Sequence, residues 1–150
     1  MMEGLNRLQV YQRAQELAVL VYRHVLPEMP SEEKYGLTSQ IRRAAASIPA
    51  NIAEGYGRYY YQESIRFCYL ARGSLMELSS HIDLADSQSY LSQETQSLLK
   101  EKMALLIKLI HGYIKYLKES KRGWNEPGSQ SISEDQANYF EDDEEDVLVN

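Results

Sequence analysis

The chain has 150 residues, 43% of them hydrophobic, and a formal net charge of −6, which is enough material for one domain with a substantial core. Its single cysteine excludes an internal disulfide, as expected for a reducing cytoplasm, and the N-terminus lacks a signal-peptide pattern. No apolar run reaches the ~18 residues of a membrane-spanning helix, so we expect a cytoplasmic protein with no membrane partner.

The charge is divided unevenly along the chain. Residues 1–122 hold all 16 Lys and Arg and 13 of the 22 Asp and Glu, a net charge of +3, whereas residues 123–150 hold the other 9 acids and no base. Such a division is a hint of a polyanion-binding body or of an interaction tail, although a solubilising tail would look the same. We expect a folded domain over residues 1–122 and an acidic, disordered tail over residues 123–150.

The first helical pattern follows a lead-in of residues 1–7. From Leu8 to Val25 apolar side chains recur at steps of three and four, as on one face of a helix. Pro27 and Pro30 are expected to stop this helix, and residues 31–36 form the next connection.

The second helix is predicted over residues 37–56, with one apolar stripe flanked by small side chains that allow close approach of another helix. Pro49 lies inside this pattern. It is expected either to bend the helix or to split it into two shorter helices at Ile48. Gly55 and Gly57 indicate the helix end, because glycine adopts the left-handed cap conformation at low cost.

The third helix is predicted over about residues 61–87, with Cys68 as a small buried group at the edge of its apolar face. A turn at residues 89–91 leads to a fourth helix with Ser92 as N-cap, and lysines near its end favour the helix C-terminus. Four amphipathic segments joined by short turns predict an all-α, up-down-up-down antiparallel four-helix bundle.

No catalytic or cofactor-binding constellation is apparent. The three histidines, His24, His81 and His111, lie on different predicted helices without a second ligand at metal-binding spacing. Glu77 and His81 form an i, i+4 pair, but a di-iron bundle needs two Glu-x-x-His pairs and two further Glu. We therefore predict a non-enzymatic protein with no metal and no cofactor.

The second helix also carries a polar stripe. Its members lie within about 80° of one another at 100° per residue, and they are Gln40, Arg43, Ser47, Asn51 and Glu54. We favour a structural hydrogen-bonded seam, in which Asn51 and Glu54 meet an arginine of another helix or subunit. The carboxylate of Glu54 argues against a purely phosphate-binding stripe.

Aromatic and basic residues are concentrated around the junction between the second and third helices. The tyrosines Tyr56, Tyr59, Tyr60 and Tyr61 cannot all face one core, so we expect them to serve either as a subunit contact, which we favour, or as platforms on which bases stack. The most clustered cations of the body are Arg42, Arg43, Arg58, Arg66 and Arg72.

The stretch LTSQIRRAAASIPANIAEGYGR at residues 37–58 closely resembles the helix-2 motif of the four-helix-bundle proteins encoded in 23S rRNA intervening sequences, also called S23 ribosomal proteins. Residues 71–78 (ARGSLMEL) and 10–17 (VYQRAQEL) are similar to the third and first helices of that family. The resemblance covers about residues 5–120. It implies a cytoplasmic bacterial protein that assembles as a ring-like homopentamer.

Relatives in that resemblance include accessory variability determinant proteins of diversity-generating retroelements, similar pentamers that bind nucleic acid and a reverse transcriptase through a basic surface. Carried over, the implied nucleic-acid-binding residues are the five arginines named above. The acidic tail departs from the family pattern and could compete for that surface or recruit a basic partner. Its apolar groups at residues 138–140 and 147–149 flank the acids, as in a docking peptide.

These observations lead to one leading hypothesis and one alternative. The leading hypothesis is a non-enzymatic, oligomeric helical-bundle protein that acts as an accessory factor associated with RNA, DNA or a reverse transcriptase. The alternative is a protein–protein scaffold that binds no nucleic acid and uses its acidic tail to dock a basic partner.

Overall fold

The computed structural model describes residues 2–121, and the predicted tail at residues 123–150 lies outside the described residues. Over residues 2–121 the chain is all-helical, without a strand, as predicted from its periodicity. Its five α-helices are α1 (Met2–Arg7), α2 (Gln9–Leu20), α3 (Leu37–Tyr56), α4 (Tyr61–Ser87) and α5 (Gln93–Ser120). None of the helices in this part of the chain combines the length and the apolar run needed to cross a membrane.

The first segment differs most from the prediction. The lead-in expected at residues 1–7 contains α1, whose Leu5 is buried against the rest of the molecule. The single helix expected to Val25 is α2 followed by a π-helix, Val21–Val25, and a 3₁₀ turn, Leu26–Glu28. The N–H of Leu26 donates to the carbonyl of Val21, and Pro27, which has no N–H, cannot extend the hydrogen-bond ladder.

Helix α3 runs without interruption through Pro49, so the alternative of two helices broken at Ile48 is wrong. Gly57 caps the helix at φ −74°, and the left-handed conformation expected there is therefore also wrong. Gly55 lies inside the helix and is buried. A Cβ at Gly55 would lie 2.8 Å from the Cβ of Phe67 and 3.0 Å from the carbonyl oxygen of Ser64. Glycine is used here for close packing of α3 on α4 rather than for a turn.

The helices enclose one core. Helix α2 packs against α3 and α5, while α4 packs against α3 and α5. Fully buried leucines and isoleucines dominate the interior, and Cys68 is buried among them as predicted. Pairs of contacting residues run in opposite order along α3 and α4: Arg43 meets Glu77, Ser47 meets Ser74, and Gly55 meets Phe67. This order places the polar stripe of α3 along its boundary with α4.

The ends of α5 are fixed by side chains and by one backbone reversal. Ser92 is the N-cap, as predicted, and its hydroxyl accepts the N–H of Thr95 at 3.2 Å. Glu28 reaches across from the first segment and accepts the N–H of Ser92 at 2.8 Å and the Thr95 hydroxyl at 2.7 Å. Burial opposes ionisation of Glu28, but the hydrogen bonds from Ser92 and Thr95 prevail and lower its pKa. At the other end, Lys121 adopts a left-handed conformation at φ 45°.

Candidate functional site

The polar stripe of α3 meets α4 at the guanidinium of Arg43. This group forms an ion pair with Glu77 of α4, and it also donates to the Gln40 side chain at 3.1 Å. Glu77 lies 3.4 Å from Nε2 of His81, so the predicted i, i+4 pair forms part of a mixed-charge network. The Arg43 side chain remains 63% exposed, so this ion pair joins α3 to α4 at the surface.

Farther along the same boundary, the stripe satisfies its own hydrogen bonds. The hydroxyls of Ser47 and Ser74 bond to each other between the helices. The side-chain amide of Asn51 donates to the carbonyl of Ser47 at 2.9 Å within α3. Glu54 accepts from Arg58, at the start of the following connection, rather than from another helix. Two contacts of the stripe, Arg43–Glu77 and Ser47–Ser74, join α3 to α4, whereas Asn51 and Glu54 bond within α3 and the connection that follows it.

Arg58 is held on three sides. Its guanidinium donates to Glu54 at 2.7 Å, lies 3.9 Å from Glu63, and stacks 5.0 Å above the ring of Phe67. Two carboxylates and a ring fix the orientation of this side chain across the junction between α3 and α4. The geometry fits a clamp on the junction better than an open phosphate contact.

The four junction tyrosines occupy different environments. Tyr61 is 8% exposed and belongs to the core, and the hydroxyl of Tyr56 lies against Gly4 of α1. Tyr59 is 51% exposed and meets the half-buried ring of Tyr60 edge-on at 5.5 Å between centroids. A base could therefore stack on Tyr59, whereas the ring of Tyr61 is enclosed by the protein.

The remaining arginines are presented at the surface. Arg42 and Arg66 are exposed and form no ion pair within residues 2–121. Arg72 is half-buried, with its guanidinium 5.7 Å above the ring of Tyr69. Arg42 and Arg43 are adjacent in sequence and both exposed, but the turn of the helix directs only Arg43 towards Glu77.

Metal binding and thiol chemistry find no support in this region. No group of three or more His, Cys, Asp and Glu side chains is placed to hold a metal ion within the described residues. Burial raises the pKa of the Cys68 thiol to about 12, so the nucleophilic thiolate is scarce at neutral pH.

A mostly apolar groove between α2 and α3 was not identified from the sequence. It has a volume of about 470 Å³. Small residues of α3, Ala46, Pro49, Ala50 and Ala53, form one wall, and Tyr11 and Tyr22 stand on the other with Arg23. The alanines repeated beside the apolar stripe could have indicated this groove, but close packing against another helix of the same chain explains the same pattern equally well.

A family model described as 23S rRNA-intervening sequence protein matches residues 6–112. This chain belongs to that family. The match begins in α1 and extends into α5, so the polar stripe, the arginines and the groove all lie inside it.

Among solved structures, this chain is similar to a protein of unknown function from the S23 ribosomal protein family of Bacteroides thetaiotaomicron. The two share 21% sequence identity at a TM-score of 0.65, covering 71% of this chain and 98% of the other. At this level of sequence identity, the similarity shows a shared fold and nothing about function. No curated protein matches the chain.

Proposed function

We propose that this protein is a non-enzymatic accessory factor that associates with RNA or DNA, and that Arg42 and Arg66 are its principal phosphate contacts. The observation that carries the proposal is the difference in pairing among the five candidate arginines. Arg43 and Arg58 are bound to carboxylates, whereas Arg42 and Arg66 have no ionic partner in the described part of the chain. The family's name, which refers to an rRNA intervening sequence, supports a nucleic-acid connection.

Pairing matters because nucleic-acid affinity arises largely from counterions released when cations neutralise phosphates. An arginine that already has a carboxylate partner must break or share that contact before it can neutralise a phosphate and release counterions from the nucleic acid. Arg72 is intermediate, since its guanidinium lies over Tyr69 rather than against an acid. Exposed Tyr59 would add a stacking surface near Arg58 for an unpaired base.

The proposal includes a four-helix, up-down-up-down topology and assembly into a homopentamer. The reversed order of contacts along α3 and α4 supports the antiparallel arrangement of these two helices. So does the contact of Glu28 with the first turn of α5. A body with a net charge of +3 binds a polyanion weakly, and several copies in one assembly would add their charges. A reverse transcriptase is the protein partner that the family resemblance implies.

A salt titration of binding tests the arginine assignment. The full-length protein and residues 1–122 are mixed with single- and double-stranded RNA and DNA, and affinity is measured against salt concentration. Replacing Arg42 and Arg66 by Gln should weaken binding and reduce the slope of log affinity against log salt by roughly 1 to 2. Arg43→Gln is the matched control, because it removes the same charge from an arginine already neutralised by Glu77.

Two outcomes would contradict the proposal. One is the absence of binding to any of these nucleic acids by either protein at low salt. The other is an equal loss of affinity for Arg43→Gln and Arg42→Gln, which would mean that overall charge, not the exposed arginines, sets the affinity.

A protein–protein scaffold is the second candidate, and exposed apolar side chains favour it. Leu70, Met76 and Leu84 are exposed on α4, and Leu70 lies one helical turn after Arg66. Replacing Arg42 and Arg66 by Ala separates the two functions, because it leaves the contacts of Arg58 at the junction intact. If light scattering shows that the oligomer is lost, the scaffold is supported, and if the oligomer persists while binding is lost, the nucleic-acid factor is supported.

A further inference from the structure

We infer that the groove between α2 and α3 is the docking site for the chain's own acidic tail, with Tyr139 and Phe140 as its apolar anchors. The inference goes beyond the proposed function: it rests on the antiparallel topology proposed there, but it does not depend on nucleic-acid binding. It rests on three matches between groove and tail: their apolar character, their charge, and the length of chain that joins them.

The apolar match comes from the walls of the groove. Ala46, Ala50 and Ala53 present only methyl groups, which leaves an open volume of about 470 Å³, within the range of sites that bind drug-sized ligands. The tail supplies adjacent aromatic side chains at Tyr139 and Phe140. Aromatic rings seated on small residues bury a large area for little loss of side-chain entropy.

The charge match lies at one end of the groove. The charged residue in its lining is Arg23, and Arg42 projects from α3 one helical turn before Ala46, on the same face. Phe140 is followed directly by six consecutive acids at residues 141–146. From Ala53 to Arg42 the helix rises by about 16 Å, and six extended residues span about 20 Å. With Phe140 near Ala53, the acids therefore reach both arginines.

The connecting chain has the necessary length. In the antiparallel topology proposed above, α5 ends beside the beginning of α2, because the start of α5 is bonded to Glu28 at the far end of the first segment. Residues 122–138 join Lys121 to Tyr139. As a flexible chain these 17 residues span roughly 23 Å, compared with the ~10 Å that separates neighbouring helix axes.

The test measures the effective concentration of cysteine pairs in the full-length protein, at equilibrium in a glutathione redox buffer. One variant carries Asn138→Cys, beside the anchors, with Gln15→Cys at the groove. The matched control carries Asn138→Cys with Gly112→Cys, an open position on α5 where an added Cβ meets no atom within 4 Å. Buried Cys68 stays in both variants, since its raised pKa makes it a poor competitor in thiol exchange.

In an undocked tail the flexible segment from Lys121 to position 138 is the same for both pairs, so the two pairs should have similar effective concentrations. Docking should give the groove pair an effective concentration at least about tenfold higher than the control. Adding Ala50→Glu to the groove pair, which narrows the groove and repels the acids, should abolish that difference. Circular dichroism of each variant verifies that the helices are intact.

Two results overturn the inference. The first is an effective concentration for the groove pair no higher than that of the control. The second is rapid formation of covalent dimers by the single variant Gln15→Cys, because groove-to-groove disulfides would show that a second copy covers this surface.

Discussion

Replacing Gly55 by alanine isolates the close approach of α3 and α4. Within a helix, glycine to alanine alone stabilises by up to about 1 kcal/mol. At Gly55 the added methyl would lie 2.8 Å from the Cβ of Phe67 and 3.0 Å from the Ser64 carbonyl. Both atoms are fixed by the backbone of α4, so the two helices must move apart. Overpacking of this kind costs about 1 to 3 kcal/mol.

The net effect expected for Gly55→Ala is a loss of up to about 2 kcal/mol of unfolding free energy, which lowers the urea midpoint by roughly 1 M. Gly73→Ala in α4 and Gly112→Ala in α5 are matched controls, since a Cβ at either position meets nothing within 4 Å. Both should raise the midpoint by the propensity gain alone. Measurement at two protein concentrations separates folding from assembly. Stabilisation by Gly55→Ala equal to that of the controls would refute the packing argument.

Three further substitutions and one labelling experiment test other parts of the structure. Glu28→Gln should lower the free energy of unfolding by about 1 kcal/mol at pH 7. Because folding lowers the pKa of Glu28, its carboxylate stabilises the protein above the usual pKa, and this stabilisation is lost as the pH falls through the folded-state pKa. Chemical denaturation should therefore show the stabilities of the variant and the original protein converging at low pH. Ser92→Ala removes the N-cap of α5 and should lower the melting temperature by about 4 °C, for a loss near 1 kcal/mol; an unchanged melting temperature would contradict the cap. Leu106→Ala should lower the free energy of unfolding, measured by urea denaturation, by about 2 to 5 kcal/mol, because this side chain of α5 is fully buried. Cys68 should react with a soluble thiol reagent only after denaturation, because a pKa near 12 leaves about a thousandth of the usual thiolate; fast labelling of the native protein would disprove its burial.

The long helices could be predicted from the sequence because several local preferences coincide there. The predicted bounds of the helices at residues 37–56 and 61–87 are those of the structure, where apolar periodicity and the intervening connection agree. Helix α1 was missed because six residues are too few to establish a period, and its stability depends on the burial of Leu5. Gly57 was assigned the wrong conformation because a glycine at a helix end most often indicates a left-handed cap.

The candidate site could be predicted as a set of residues but not as a set of contacts. Arg42 and Arg43 look equivalent in sequence, yet Arg43 pairs with a glutamate 34 residues away on another helix. The four tyrosines likewise divide between the core and the surface according to the direction in which the chain leaves α3. Such differences depend on tertiary packing, to which composition and spacing are insensitive.

The π-helix at Val21–Val25 constrains the length of this chain in a region where a helix would otherwise tolerate a small deletion. Tyr22 and Arg23 at the groove belong to this segment, and Glu28, which binds Ser92 at the start of α5, follows it by three residues. Removing one residue from the segment would turn everything after it by about 100° and shift it by about 1.5 Å relative to α2. Either the arginine would leave the groove or the glutamate would leave α5. Members of the family with this groove and this cap should therefore retain the same number of residues between them, even where the side chains in the segment differ.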